Sequence, residues 1–71
     1  MESYPIKIHT PFIRLQDLLK FSGVVETGGD AKLIIREGRV TVNGETCLMR
    51  GRKLVPGHRA VLDGETELTV T

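Results

Sequence analysis

The spacing of apolar residues changes along the first third of the chain and predicts a strand followed by a helix. Residues 5–9 (PIKIH) alternate, with both isoleucines on one face, as in a half-buried strand. From Arg14 the leucines recur at helical spacing until Gly23, a residue type that commonly ends helices. The helix could begin with Thr10 and Pro11 as cap and first turn, or later at Arg14. The spacing leaves both starts open.

A second helix is indicated by the residues that would cap it. Thr27 and Asp30 have the spacing of a capping box, in which side chains satisfy free amides at a helix start. The residues that follow form an inward-facing stripe: Ala31, Ile34 and Ile35. Gly38 is expected to end this helix, because glycine adopts the left-handed conformation at little steric cost.

The second half of the chain alternates at the period of a β-strand and contains two hairpin turns. The strands are predicted over residues 40–42, 45–49, 59–62 and 65–70. Asn43-Gly44 and Asp63-Gly64 are the expected turns, since these residue types tolerate positive φ. In the second strand, Cys47 and Met49 would share one face. The order of elements predicts an α+β domain with two short helices packed on a small, mostly antiparallel sheet.

The composition fits one small globular domain. The 71 residues are 39% hydrophobic and 27% charged, which suffices for a single core. No apolar run approaches the roughly 20 residues of a membrane span, and the N-terminal residues lack the pattern of a signal peptide. The single cysteine, Cys47, excludes an internal disulfide and is expected to be a small core residue. We therefore expect a cytoplasmic monomer that does not contact membranes.

The formal net charge of +1 conceals an uneven distribution of charge along the chain. Residues 32–59 contain seven basic and two acidic residues, a net charge of +5, whereas the rest of the chain carries −4. Such asymmetry is typical of proteins that bind polyanions. Ordinary solvated surface charge is the alternative interpretation.

Two groups of cations are expected to form one basic face. Lys32 and Arg36 lie four residues apart, so they share the helix face opposite the isoleucines, and Arg39 would continue that line past the helix end. The loop after the first hairpin carries three more around Gly51: Arg50, Arg52 and Lys53. If helix and loop pack side by side, the arginines suit forked contacts with phosphate oxygens. Taken alone, Lys32 and Arg36 could also be an ordinary solvated helix face.

Several spaced motifs occur in register across residues 12–63. Arg14-Leu15 and Leu18 are similar to the start R-L-D-x-x-L, in which the second leucine comes one residue later. The positions that match [ST]-x-x-x-A-[KR]-x-x-I-x-x-G-x-V-x-V-N-G are Thr27, Ala31, Lys32, Ile35, Gly38, Val40, Val42, Asn43 and Gly44. Those that match K-x-x-P-G-D are Lys53, Pro56 and Gly57. As a set, these positions resemble the RNA-binding domain of the fourth small-subunit ribosomal protein, which we name the S-four-type domain.

The resemblance implies the alpha-L RNA-binding motif and a protein that binds structured RNA without catalysis, cofactor or metal. The implied partner is ribosomal or transfer RNA, and association with the ribosome is also implied. The implied RNA-binding residues are those of the basic face together with Thr27, Gly28 and Gly29. The likeness is greatest to small stand-alone bacterial members, which also have T-G-G before the second helix.

Two positions depart from the family pattern. Many members have a basic pair where this chain has Gly28-Gly29. These glycines could offer backbone amides to an anion at a helix N-terminus, or could form only a flexible entry turn. His58 replaces the acid that commonly follows Pro-Gly, and could add charge to the basic face or serve as a turn residue.

The remaining chemistry favours a binding protein that reads the shape of the RNA backbone. Tyr4, Phe12 and Phe21 all lie outside the basic segment, whereas proteins that read single strands usually stack bases on aromatic side chains. His9 and His58 have no spacing typical of a metal site or a catalytic triad. A ribosome-associated adaptor for another protein is the alternative. A β-grasp sulfur carrier is disfavoured, because the chain ends in LTVT and not in Gly-Gly.

Overall fold

The computed structural model describes residues 1–71 and contains two helices and two sheets. The helices are α1 (Leu15–Ser22) and α2 (Gly28–Arg36). The strands are β1 (Glu2–Ile6), β2 (Ile13–Arg14), β3 (Val40–Val42), β4 (Glu45–Thr46), β5 (Lys53–Leu54), β6 (Arg59–Leu62) and β7 (Thr66–Val70). The predicted α+β class, with two short helices on a sheet, is confirmed.

The larger sheet has five strands in the order β1-β7-β6-β3-β4. Only β1 and β7 are parallel, and the other pairs are antiparallel. The first strand was predicted over residues 5–9 but runs over Glu2–Ile6, because its pairing with β7 begins at Glu2 opposite Thr66. Ile6 and Ile8 nevertheless pack against the core, as their alternation predicts.

A second sheet, which the sequence did not predict, consists of β2 and β5. Each strand has two residues, with Ile13 opposite Leu54 and Arg14 opposite Lys53. This short ladder ties the start of α1 to the loop that follows β4. The loop is thereby held against the helices.

One core of 13 buried residues lies between the helices and the sheets. The helices contribute Leu15, Leu18 and Leu19 from α1 and Ala31 and Ile35 from α2. Cys47 is 6% exposed, which confirms that it is a core residue. No polar or charged residue is buried, so apolar burial stabilises the fold and the charged side chains remain at the surface.

The helix ends agree with the capping residues of the sequence. Arg14 is the residue before α1, which identifies the later of the two possible starts. Thr27 caps α2, since its Oγ1 accepts a hydrogen bond from the Asp30 amide at 3.1 Å. Gly38, with φ of 75°, takes the left-handed conformation just after α2, as predicted.

Both predicted hairpin turns are present, but the strand after the first turn is shorter than predicted. Asn43 and Asp63 have φ of 51° and 54°, the left-handed values that these turns require. The strand predicted over residues 45–49 ends at Thr46, and Met49 does not share the buried face of Cys47. The chain leaves the sheet here because residues 50–54 return to the first turn of α1 and to β2.

Candidate functional site

An open groove lies between α2 and the loop after β4. It is lined by Lys32, Ile35, Arg36, Leu48, Met49, Arg50 and Gly51 and has a volume of about 370 Å³. We name this feature the basic groove. It brings the two helix cations together with the first cation of the loop, as predicted. One detail was wrong: Lys32 and Arg36 flank Ile35 along the groove and do not lie opposite it.

The loop holds its position through backbone contacts, which leave its basic side chains exposed. The side chain of Arg14 offers no acceptor to the free amides at the start of α1. The carbonyl oxygens of Arg52 and Arg50 accept these hydrogen bonds, from Leu15 N–H at 2.8 Å and Gln16 N–H at 3.0 Å. The loop therefore caps the helix with its main chain. The side chains of Arg50 and Arg52 remain available to a ligand.

The short ladder of β2 and β5 adds two residues that the sequence analysis did not include in the site. Arg14 lies opposite Lys53, and the ring of Phe12 is close to both cations. Lys53 Nζ is 4.8 Å from the ring centroid and Arg14 Cζ is 5.7 Å from it, distances typical of cation–π contacts. In the sequence, Arg14 belongs to the helix-start motif and Phe12 lies outside the basic segment, so neither is predicted as a site residue.

Arg39 was expected to continue the line of Lys32 and Arg36, and this prediction is wrong. Its guanidinium donates two hydrogen bonds to Asp63, from Nε to Oδ1 at 2.8 Å and from NH2 to Oδ2 at 2.7 Å. It also contacts Glu37 at 3.4 Å. Arg39 therefore lies in an ion-pair network and outside the basic groove.

The position of Arg39 also differs from that of the groove cations. It borders a separate cavity, together with Leu33 and Ile34, at the other edge of α2. The hydrogen bonds and charge of Asp63 raise the pKa of Arg39, and the same bonds lower the pKa of Asp63. Both changes favour the charged forms.

Five of the seven basic residues in the segment 32–59 have no carboxylate partner. Arg39 pairs with Glu37 and Asp63, and Arg59 lies 3.8 Å from Glu67. The five unpaired cations are Lys32, Arg36, Arg50, Arg52 and Lys53, and all are exposed. Lys32, Arg36 and Arg50 line the groove, whereas Arg52 and Lys53 lie further along the same loop, with Lys53 over the Phe12 ring. No internal carboxylate neutralises the charge of these five side chains.

Thr27, Gly28 and Gly29 lie at the N-terminal end of α2. Gly28 and Gly29 are the first two helical residues and not part of a turn before the helix, so the entry-turn interpretation is wrong. Gly28 lies four residues before Lys32, on the same side of the helix. A Cβ at Gly28 would meet nothing within 4 Å, and one at Gly29 only Thr27 Oγ1 at 3.7 Å. The amides of both glycines have no acceptor within the protein, so they can face an anion.

His58 acts as a turn residue. Its Nδ1 accepts a hydrogen bond from the Val55 amide at 3.2 Å, across the turn that contains Pro56 and Gly57. The acid usual at this position of the family offers an acceptor of the same kind. The imidazole therefore replaces that acid as an acceptor, which favours the second of the two interpretations.

No group of three or more histidine, cysteine, aspartate or glutamate side chains is placed to hold a metal ion. Neither helix has the length and apolar character required to cross a membrane.

Comparison with known proteins identifies the family. The sequence model of the S4 domain matches residues 6–70. A probable ribosome maturation protein, RlbA of Bacillus subtilis, is 42% identical over 60 residues, which cover 84% of either chain. The putative RNA-binding protein YbcJ of Escherichia coli is 38% identical over 56 residues, 79% of this chain and 80% of that one.

The fold agrees with a solved member of the same group. The solution structure of YbcJ from E. coli, described as having an αL motif involved in RNA binding, superposes with a TM-score of 0.69 and 32% identity. The match covers all of this chain and 87% of the other. The resemblance found over residues 12–63 is thus confirmed and extends over nearly the whole chain: this protein belongs to the S4 domain family.

Proposed function

We propose that this protein binds structured ribosomal RNA through the basic groove and the adjoining loop, and that it acts during ribosome maturation. The coarser prediction, a non-catalytic RNA-binding protein, is confirmed by membership of the S4 domain family and by the relative described as RNA-binding. The choice of RNA and of the process goes further and is our proposal.

The observation that carries this proposal is that three unpaired cations from two separate elements line one groove. Lys32 and Arg36 come from α2 and Arg50 from the loop, yet all three line one groove. Arg52 and Lys53 follow on the same loop, whose backbone is fixed to α1. A positive, ordered surface whose cations form no internal ion pairs can bind phosphates without first breaking such pairs.

The relatives support ribosomal RNA in preference to transfer RNA. The B. subtilis relative is described as a probable ribosome maturation protein, and it matches this chain over most of both lengths. Folded ribosomal RNA offers helices, bulges and junctions, which proteins recognise through phosphates and 2′-hydroxyls. We further propose that the protein works as a monomer in the cytoplasm.

Crosslinking in cells, followed by sequencing of the attached RNA, tests the proposal. We expect the wild-type protein to crosslink to one region of ribosomal RNA, and the variant Lys32→Glu/Arg36→Glu to lose these crosslinks. The matched control is Lys7→Glu/Lys20→Glu, which reverses two exposed charges away from the groove. Both variants should stay folded and melt at similar temperatures, because all four side chains are exposed and unpaired and each variant reverses one charge in the last turn of a helix, Arg36 in α2 and Lys20 in α1.

Three results would contradict the proposal. Crosslinks mainly to transfer RNA would reject the choice of RNA. Equal loss of crosslinks in both charge variants would reject the groove as the site. Association with ribosomal particles that survives ribonuclease and charge reversal in the groove would favour an adaptor that contacts protein.

A further inference from the structure

Two large apolar side chains of the basic groove are not part of the core. Leu48 is 64% exposed and Met49 is 69% exposed. They line the groove together with Lys32, Arg36 and Arg50. Exposed apolar residues are common when isolated, but adjacent ones in a ligand-binding groove indicate a contact surface.

The backbone holds these two residues in place on both sides. Before them, Cys47 is buried, and its amide donates a hydrogen bond to the Val40 carbonyl at 3.0 Å. After them, the Met49 carbonyl accepts a bond from the Arg52 amide at 3.1 Å. The main chain is thus fixed between two anchors, so the exposure of both side chains is a property of the fold and not of a loose loop.

The chemistry of the groove fits a nucleotide better than a continuous duplex. Phosphates carry the charge that Lys32, Arg36 and Arg50 would neutralise, whereas a nucleobase has an apolar face that suits Leu48 and Met49. The thioether of methionine is polarisable and packs well against flat rings. The volume of about 370 Å³ lies near the lower end of small-ligand sites, roughly 300–1,000 Å³, so the groove has room for one nucleotide.

We propose that Leu48 and Met49 receive the base of one unpaired nucleotide of the bound RNA, while the neighbouring cations hold its phosphates. This inference rests on the proposed RNA binding and adds a preference for a bulged or looped nucleotide. Shape recognition of the backbone alone would not need the apolar pair. The pair therefore provides selectivity, and the cations provide most of the affinity.

The test uses the full chain and two hairpin RNAs that differ only in one bulged 2-aminopurine nucleotide. The variant Leu48→Ser/Met49→Ser should bind the bulged hairpin about tenfold more weakly than the wild type, as expected when partial burial of two large apolar side chains is lost. Its affinity for the hairpin without the bulge should change by no more than about twofold, because phosphate contacts persist. Its salt dependence should be unchanged, since no cation is removed.

Fluorescence of the 2-aminopurine gives a direct readout of the base. Wild-type protein should raise this fluorescence, because the base leaves the RNA stack when it enters the groove, and the double variant should not. The matched control is Leu33→Ser/Val55→Ser, which removes two other exposed apolar side chains outside the groove. This control should behave as the wild type in both assays.

The outcomes separate this inference from the proposed function. If Leu48→Ser/Met49→Ser binds both hairpins as the wild type does, or weakens both equally, the base contact is refuted. Groove-cation variants would still report RNA binding in that case. If those variants also leave binding unchanged, the RNA-binding groove itself is rejected.

Discussion

Neutralising two cations of the basic groove should change the salt dependence of RNA binding by a calculable amount. Each phosphate contact adds about 0.7–0.9 to the slope of log affinity against log salt. One phosphate contact for each of the five unpaired cations of residues 32–59 gives a slope of about −3.5 to −4.5 for the wild type. The variant Lys32→Gln/Arg36→Gln retains three of these cations, so its slope should be shallower, about −2.1 to −2.7.

These slopes translate into affinities that a titration can resolve. Between about 50 and about 200 mM salt, wild-type affinity should fall roughly 130- to 500-fold, and that of the variant only about 20- to 40-fold. Fluorescence anisotropy of a labelled ribosomal RNA hairpin, titrated at several salt concentrations, measures both. Thermal denaturation checks that the variant is folded.

The Arg39–Asp63 ion pair provides the matched control. Arg39→Gln/Asp63→Asn removes a cation of the same segment together with its carboxylate partner, so the slope should equal that of the wild type. If this control makes the slope as shallow as Lys32→Gln/Arg36→Gln does, ion pairing does not determine which cations contact the RNA phosphates. If neither variant changes the slope, the assignment of the basic groove is refuted.

Three further predictions concern stability. Asp63→Asn should lower the melting temperature at neutral pH and make it less dependent on pH. Arg39 lowers the folded-state pKa of Asp63, so the stabilisation from the ionised Asp63 is present above the ordinary aspartate pKa and is lost as the pH falls through the lowered value. An acid melting profile equal to that of the wild type would contradict this. Asn43→Gly should reduce the free energy of unfolding by about 0.5–1.5 kcal/mol, because Asn43 Oδ1 no longer accepts the hydrogen bond from the Arg59 amide at 3.0 Å. Asn43→Ala should reduce it by about 1–2 kcal/mol more, because alanine is strained at positive φ. Equal urea denaturation midpoints for the two variants would contradict the second effect. His58→Ala should lower the free energy of unfolding by about 0.5–1 kcal/mol, because the Val55 amide loses its acceptor. His58→Asp should retain most of the stability, since aspartate also offers an acceptor. An equal loss of stability in both variants would show that this hydrogen bond does not stabilise the turn.

The elements that local chemistry specifies were predictable from the sequence. Thr27 and Asp30 determine where α2 begins through a hydrogen bond between near neighbours. Asn43-Gly44 and Asp63-Gly64 determine the hairpins because they accept positive φ. The grouping of Lys32 and Arg36 with the loop was also predictable, since the spacing of motifs resembles a known family.

The elements that depend on distant partners were not predictable. Two-residue strands such as β2 and β5 have no periodicity, so nothing in the sequence pairs Arg14 with Lys53. Arg39 and Asp63 are 24 residues apart and meet only when β3 and β6 pair. The alternation of residues 45–49 places Leu48 on the face opposite Cys47, where it is exposed, but places Met49 with Cys47. Met49 is exposed because the loop returns to α1.

The way in which the loop is attached has a consequence for how the site can vary. Arg50 and Arg52 cap α1 with their carbonyl oxygens, which every residue type possesses, whereas their side chains form no ion pair within the protein. Stability therefore depends on the path of the main chain, and affinity depends on the side chains. Substitutions at these positions can change RNA binding without unfolding the domain, so a loss of binding at Arg50 or Arg52 with an unaltered melting temperature is the expected behaviour of this site. Arg39, whose side chain is held in an ion pair with Asp63, should show the reverse.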